Sequence, residues 1–424
     1  MSSRIIILLS LPLAALLLAQ PAADPAATAK KSLDSLLAAK YTDASQAFTP
    51  EMKTAYPEAE MNKLGDRIKS FGALQKIDEP SLQKSGPNTI VVFPAHFANQ
   101  NVNFRFLINQ GGQISGLFLL TGEVSWQAPP YSKPGAFTER AVTIGDDWKL
   151  PGTLTVPAGA GPFPAAVLVH DSGPHDRDET VYGNKVFRDL AEGLASRGIV
   201  VLRYDNRQKI YPARSDTTGF TVEQETVEDA VLAAGVLRQQ KEVDPKHVYL
   251  IGHGLGGYVA PRIADKDGKL AGMVLLAANV RPIEDLTVEE AVGLGYPANQ
   301  IAAIKAAVVK IKGLEPADSD APPVLGRPVS YWLDLKGYDP SADAAELSTP
   351  ILILQGERDF QVPIQDFAMW KSALASHKNA VLKSFPTLNH LFIAGEGKST
   401  EAEYRKPGHV GPEVIQEIAA WIGK

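Results

Sequence analysis

Hydrophobic and polar positions change rhythm several times along the chain. Arg4 precedes an apolar run from Ile5 to Ala19, interrupted only by Ser10 and Pro12. That run is shorter than the about 20 apolar residues a membrane-spanning helix needs. With the following Gln20-Pro21-Ala22-Ala23 it predicts an export signal over residues 1–19, cut after Ala19. Residues 20–29 carry Pro and Ala without periodicity and are expected to form a linker. Helical spacing then appears at Leu33, Leu36 and Leu37, and again at Leu64, Ile68 and Phe71, with Phe48 to Met52 read as helical material between them. After Gly86-Pro87 the period becomes two: Thr89–Phe97, then Val102, Phe104, Phe106 and Ile108 alternating with Asn103 and Arg105, then Gln113–Leu120 beyond Gly111-Gly112. Helices followed by an antiparallel meander predict a small α+β domain over residues 30–122. Its only histidine, His96, lies in a strand and is expected to be structural.

From Phe137 the pattern changes again. A hairpin (Arg140–Ile144, Gly152–Val156) leads into continuous apolar strands at Ala165–Val169, Ile199–Arg203, His247–Ile251, Met273–Ala277, Ile351–Gln355 and Val381–Phe385. Amphipathic helices separate them, marked by Val186, Phe187, Leu190 and Leu194 and by Val227, Ala230, Ala234 and Leu237. Such runs predict a mostly parallel sheet covered on both faces over residues 137–424. The stretch 282–347 interrupts the alternation with a helical stripe of Ile301, Ile304, Val308 and Ile311, and reads as a lid inserted between two core strands. Tyr331 and Trp332, near its end, suit the core as well as the apolar wall of a substrate pocket, and are kept as candidates for either.

Composition narrows the chemistry. The 424 residues carry 42 Lys and Arg against 48 Asp and Glu, a net charge of −6, which argues against a nucleic-acid partner. The absence of cysteine excludes disulfides, thiolate metal sites, a cysteine nucleophile and a lipidated cysteine anchor. The mature chain is therefore expected to be exported, without a stable membrane anchor and without a cofactor.

In a parallel sheet of this kind ligands bind beyond the carboxyl ends of the strands, so the residues there matter most. They are His170-Asp171-Ser172-Gly173-Pro174, Tyr204-Asp205-Asn206-Arg207, Gly252-His253-Gly254-Leu255-Gly256-Gly257, Gly356-Glu357-Arg358-Asp359 and Pro386-Thr387-Leu388-Asn389-His390. An acid after one late strand and a histidine after the next, both downstream of a Gly-rich strand–turn–helix, follow the chain order of a hydrolase triad. Asp359 would orient and support His390, and His390 would act as the base.

On these blocks residues 137–424 resemble an α/β-hydrolase of the serine-esterase type. The resemblance is to the exported EstD-like carboxylesterases, which carry a small N-terminal domain of unknown function. It rests on residues 165–179, 203–207, 249–257, 351–359 and 387–391. It implies hydrolysis of a small ester or acyl substrate, with backbone amides near Leu255 and Ser172 forming the oxyanion hole.

Two positions depart from that family. Its nucleophile elbow is Gly-x-Ser-x-Gly, whereas Gly254 stands here at the nucleophile position with no side chain to attack a carbonyl. Asp171 stands where the family has Gly, and a carboxylate there opposes a developing oxyanion. Ser172 and His253 are near the elbow, but neither occupies its tip. A water lying in the space left by the missing serine, deprotonated by His390, is a more economical route to residual activity. The expectation is a carboxylesterase-type hydrolase with weak or absent activity. The alternative is an inactive relative that binds a small ester, lipid or peptide, or a protein partner.

Two decoys carry less. Gly252, Gly254 and Gly257 satisfy the dinucleotide-binding Gly-x-Gly-x-x-Gly, but the next strand ends in Ala278-Asn279 with no acid to hold a ribose. The run His170, Asp171, His175, Asp176, Asp178 lacks a helical His pair with a remote third ligand. It is expected to form loop turns and charge pairs with Arg177 and Arg203, and no metal is assigned.

Overall fold

The computed structural model describes residues 24–423 apart from 86, 123–125 and 216. The expected export signal, residues 1–19, lies outside the described residues. Between Glu123 and Val124 the chain divides into two compact units.

The first unit begins earlier than the linker assignment allows. Asp24 accepts a hydrogen bond from the Ala26 amide and Pro25 occupies the first turn, so a helix runs Pro25–Leu37 with Ala29 fully buried. Residues 25–29 are thus helix rather than linker, because the capping pair outweighs the missing apolar period. Two short helical segments, Tyr41–Ala44 and Pro50–Ala55, a longer helix, Glu58–Ser70, and a five-stranded antiparallel sheet complete the unit. The strands are β1 (Leu74–Ile77), β2 (Ser81–Ser85), β3 (Asn88–Phe97), β4 (Asn101–Ile108) and β5 (Ile114–Gly122). The short β1 is mostly exposed and carries no buried alternation, so the pattern did not announce it. Phe48 forms a bridge with Ile114 rather than a helix, and the helix there is Pro50–Ala55. His96 bridges Asp78 and Asn101 at 2.7 and 2.9 Å.

The second unit is built on an eight-stranded sheet. Its hairpin is β6 (Phe137–Ile144) and β7 (Leu150–Pro157), followed by β8 (Phe163–Val169), the two-residue β9 (Thr180–Val181) and β10 (Asn184–Lys185), β11 (Val200–Tyr204), β12 (Val243–His253), β13 (Gly272–Leu276), β14 (Ile351–Gly356) and β15 (Ala380–Phe385). The large sheet runs β15-β14-β13-β12-β8-β11-β7-β6; β9 and β10 pair separately. Neighbours from β15 to β11 are parallel, and β7 and β6 are antiparallel. Along β8, Ala165, Val167 and Val169 face one core while Ala166 and Leu168 face the other, which explains an uninterrupted apolar run. Helices Val186–Ala195 and Pro412–Ile422 cover one face, and Glu228–Arg238 the other.

The insertion between β13 and β14 is helical: Ile283–Gly293, Ala298–Lys312, Val329–Leu335 and Pro340–Glu346. Among the described residues no helix is long and apolar enough to cross a membrane.

Candidate active site

Four strand ends converge on one point. After β14, Asp359 is anchored by its own loop: Oδ1 accepts from the amides of Gln361 (2.8 Å) and Val362 (2.9 Å), and Oδ2 accepts from Gln355 Nε2 (3.1 Å). After β15, the Asn389 side chain accepts from the Leu391 and Ile393 amides and shapes the turn that presents His390. His390 Nδ1 donates to Asp359 Oδ2 at 2.8 Å, and both side chains are buried. The structure brings these two expected residues together.

β12 ends at His253, and the chain turns sharply at Gly254 (φ +49°, ψ −113°) into a helical turn, Leu255–Tyr258. This backbone conformation is strained for a residue with a Cβ and comfortable for glycine. The turn is pressed against β8: the Gly256 amide donates to His170 O at 2.9 Å, and a Cβ on Gly256 would lie 2.3 Å from Val169 O. Glycine at 256 is a packing necessity.

The loop after β8 brings the principal correction. Asp171 points into the site. Its Oδ1 accepts from the amides of Leu255 (2.8 Å) and Ser172 (2.7 Å), and its Oδ2 lies 3.3 Å from His390 Nε2. A Cβ built on Gly254 would fall 2.1 Å from Oδ1 and 2.2 Å from Cγ. The Asp171 carboxylate therefore fills the space in front of Gly254 where a water was expected, and engages both expected oxyanion donors. Ser172 contributes its backbone N–H to this arrangement.

Behind Asp171 lies a second buried pair that the sequence did not single out. The Asp171 amide donates to Glu179 Oε1 at 2.8 Å, and Glu179 Oε2 is 3.0 Å from His253 Nδ1, a buried ion pair poorly aligned for a hydrogen bond. His253 Nε2 donates to the carbonyl of His390 at 2.9 Å. Glu179 adopts φ +48°, uncommon for a non-glycine residue. No periodicity marks it; it is the last acid of the block following β8.

Electrostatics follow from this crowding. Burial works against charge on His390, but the carboxylates of Asp359 and Asp171 outweigh it and hold the imidazolium well above its ordinary range. Burial alone would raise the Asp171 carboxyl; the hydrogen bond and charge of His390, the charge of His253 and the Leu255 amide hold it below the carboxylate range. His253 is raised and Glu179 lowered, in each case because the partner's charge overcomes burial.

Two cavities flank Asp171. One, of about 470 Å³, is lined by His175, Glu179, Tyr182, Phe360, Glu401 and Tyr404 among others. The other, of about 110 Å³, is lined by Gly254, Leu255, Ile283, Leu286 and Val362. Asp171, Ser172, Glu290, Gln361 and His390 line both, with Glu290 contributed by the inserted helix Ile283–Gly293. Tyr331 and Trp332 line neither cavity. They are buried in the main core, where the Trp332 indole donates to Val324 O at 2.9 Å and Arg327 lies over the Tyr331 ring. The helix bearing them turns its apolar face to the core rather than to the pocket.

The acidic run after β8 forms turns and ion pairs. Asp176 accepts from the Asp178 and Thr180 amides, Arg177 pairs with Asp205 and Arg203 with Asp178. Among the described residues no cluster of His, Asp or Glu is arranged to hold a metal.

The sheet order, the sharp turn after β12 and the acid–histidine pair after β14 and β15 are those of an α/β hydrolase. Residues 166–394 match the alpha/beta hydrolase family, and the chain belongs to it. It is 40% identical over 337 residues to Esterase EstD of Thermotoga maritima, covering 78% of this chain and 79% of that protein, and is a carboxylesterase-type hydrolase by family. Residues 29–117 match DUF3887, a family of unknown function. Among solved structures, Est1E from Butyrivibrio proteoclasticus aligns with 67% of this chain and 99% of its own at 19% identity and a TM-score of 0.44. A hyperthermophilic esterase from Pyrobaculum calidifontis aligns over 67% and 85% at 20% identity and a TM-score of 0.43.

Proposed function

We propose that this chain is an exported member of the carboxylesterase group in which serine-dependent ester hydrolysis is weak or absent. One observation carries this reading: the Asp171 carboxylate sits in front of Gly254 and engages the Leu255 and Ser172 amides. Acyl transfer needs a nucleophilic side chain and free donors for the carbonyl oxygen. Here the first is missing and the second are taken. The acid–base pair alone gives His390 no hydroxyl to deprotonate.

Export is proposed from Arg4 and the apolar run Ile5–Ala19; N-terminal sequencing of protein secreted from an expressing cell should start at Gln20. The catalytic reading is tested with p-nitrophenyl acetate and a fluorophosphonate probe. The parent protein should show near-background turnover and no covalent labelling, whereas an Asp171→Gly, Gly254→Ser double variant should gain both. Enzyme-like turnover by the parent, with labelling, would sink the reading. The cavities of about 470 and 110 Å³ beside Asp171 suit a small ester, lipid fragment or peptide end. If the parent does not turn over, binding without hydrolysis is the second reading, and ester saturation followed by calorimetry checks it.

A further inference from the structure

The two oxygens of Asp171 play different parts. Oδ1 rests between two backbone amides, the position of a stabilised oxyanion, while Oδ2 faces His390. The side chain is 24% exposed and opens onto both cavities. This disfavours an ester carbonyl, which would compete with Oδ1 for the same donors. Attack at a saturated carbon makes no such demand, because no tetrahedral oxyanion forms there and the charge develops on the departing oxygen instead.

We propose that Asp171 is a carboxylate nucleophile that opens small epoxides, with His390 as the base that hydrolyses the resulting ester and Glu290 as the acid that protonates the epoxide oxygen. The proposal rests on the loss of serine chemistry argued above. In the first step Oδ2 attacks an epoxide carbon, the ring C–O bond breaks, and its electron pair stays on the oxygen, which takes the proton of Glu290. The product is a hydroxyalkyl ester of Asp171. Its formation removes one of the two carboxylate charges holding His390 as imidazolium, and His390 releases its proton to solvent.

In the second step His390 Nε2 takes a proton from water as the water oxygen bonds to Asp171 Cγ. The displaced electron pair moves onto Oδ1, which already lies against the amides of Leu255 and Ser172. Collapse breaks the Cγ–Oδ2 bond and releases the diol, which takes its proton from His390. Asp171 is left holding one oxygen from water. It gives up its acidic proton, and the two protons lost to solvent return to His390 and Glu290. Epoxide and water become diol without redox change.

An epoxide, rather than an alkyl group with a self-sufficient leaving group, is indicated by Glu290. It lines both cavities beside Asp171, and burial together with the charges of Asp171, Asp359 and Glu401 raises its carboxyl against the opposing pull of His390. The small cavity offers the apolar side chains of Leu255, Ile283, Leu286 and Val362 to a short alkyl chain.

Two measurements test this on the full chain. His390→Gln protein, shown folded by circular dichroism, is incubated with propylene oxide and mapped by mass spectrometry. A stoichiometric adduct on Asp171 is expected, with its loss in an Asp171→Asn variant. Parent protein, in excess over styrene oxide in water enriched in heavy oxygen, should transfer an unlabelled oxygen to the first-turnover diol and acquire one heavy oxygen at Asp171. No adduct, an adduct that persists in Asp171→Asn, or heavy oxygen entering the diol directly would each overturn the proposal. Ester turnover and fluorophosphonate labelling of the parent are read in parallel. Their appearance would sink the loss of serine chemistry, whereas their absence without an adduct would sink only the epoxide assignment.

Discussion

At the ends of β14 and β15 the site is built as the family builds it: an acid locked by two amides holds a histidine by its Nδ1. At the ends of β8 and β12 the tight turn and the inward-facing amides are present, but the side chains around them are of another kind. Glycine removes a side chain at 254, and Asp171 supplies a carboxylate to the same volume from the neighbouring strand. Oriented amides and a tight turn need only glycines and close packing, so they persist whatever side chain stands at the tip. A nucleophile needs one atom in one place. Position 171 and position 254 are coupled by contact, and neither residue is intelligible alone.

The largest expected effect breaks that coupling. Gly254→Ser alone places its Cβ 2.1 Å from the Asp171 carboxylate and should gain little ester hydrolysis. Asp171→Gly alone has no nucleophile and should gain none. The double variant frees both amides and supplies the hydroxyl beside His390, and should exceed either single variant by at least about a hundredfold on p-nitrophenyl acetate. Additive single effects in the assay would mean that the two positions act independently. Next in size is Asp359→Asn, which leaves the His390 imidazolium with one carboxylate. Breaking a buried pair from one side should cost about 3 kcal/mol in urea unfolding at neutral pH; a cost below about 1 kcal/mol would mean that His390 is neutral in the folded protein.

Much of this fold was written in the apolar pattern. Continuous runs such as Ala165–Val169 named the buried strands, and Leu190 with Leu194 or Ala230 with Ala234 named the covering helices. The polar strands β1 and β2 escaped because they have no buried face to betray them, and the Pro25 helix escaped because its start is set by a cap rather than a stripe. At the site, Gly254, Asp359 and His390 were legible from their places after strands. The direction of the Asp171 side chain was not, since it depends on an amide contributed by Leu255, 84 residues away. Glu179 and Glu290 reach the site through a left-handed turn and an inserted helix, and neither has a period or spacing. Tyr331 and Trp332 stayed open between core and pocket for the converse reason: aromatic residues in an insertion look the same whichever they face.

A smaller effect separates the carboxylate halves by pH. The folded pKa of Asp171 lies below its ordinary value, so the stability it contributes is complete above about pH 4 and is lost as pH falls through the folded value. Asp171→Asn should therefore lower stability at pH 7 by about 1–2 kcal/mol, measured by urea unfolding. The difference should narrow as the pH drops below about 4. The paired contribution of His390, whose folded pKa is raised, behaves oppositely: it is complete below about pH 6.5 and is lost as pH rises through the folded value. A difference between parent and Asp171→Asn that is independent of pH would mean that Asp171 acts as a packing group and not as an anion.

The smallest expected effect sharpens what the oxyanion donors are made of. Ser172 holds Asp171 through its backbone N–H at 2.7 Å, a contact that any residue except proline can make. Ser172→Ala should leave urea stability within about 0.5 kcal/mol of the parent. It should also leave the ester turnover of the Asp171→Gly, Gly254→Ser background unchanged, because both donors are main-chain amides. Ser172→Pro in the same background removes one donor and should cut that turnover by about a hundredfold. If instead alanine is as damaging as proline, the hydroxyl itself reaches the reacting centre, and the clean division between what the backbone does and what the side chains do fails at that residue.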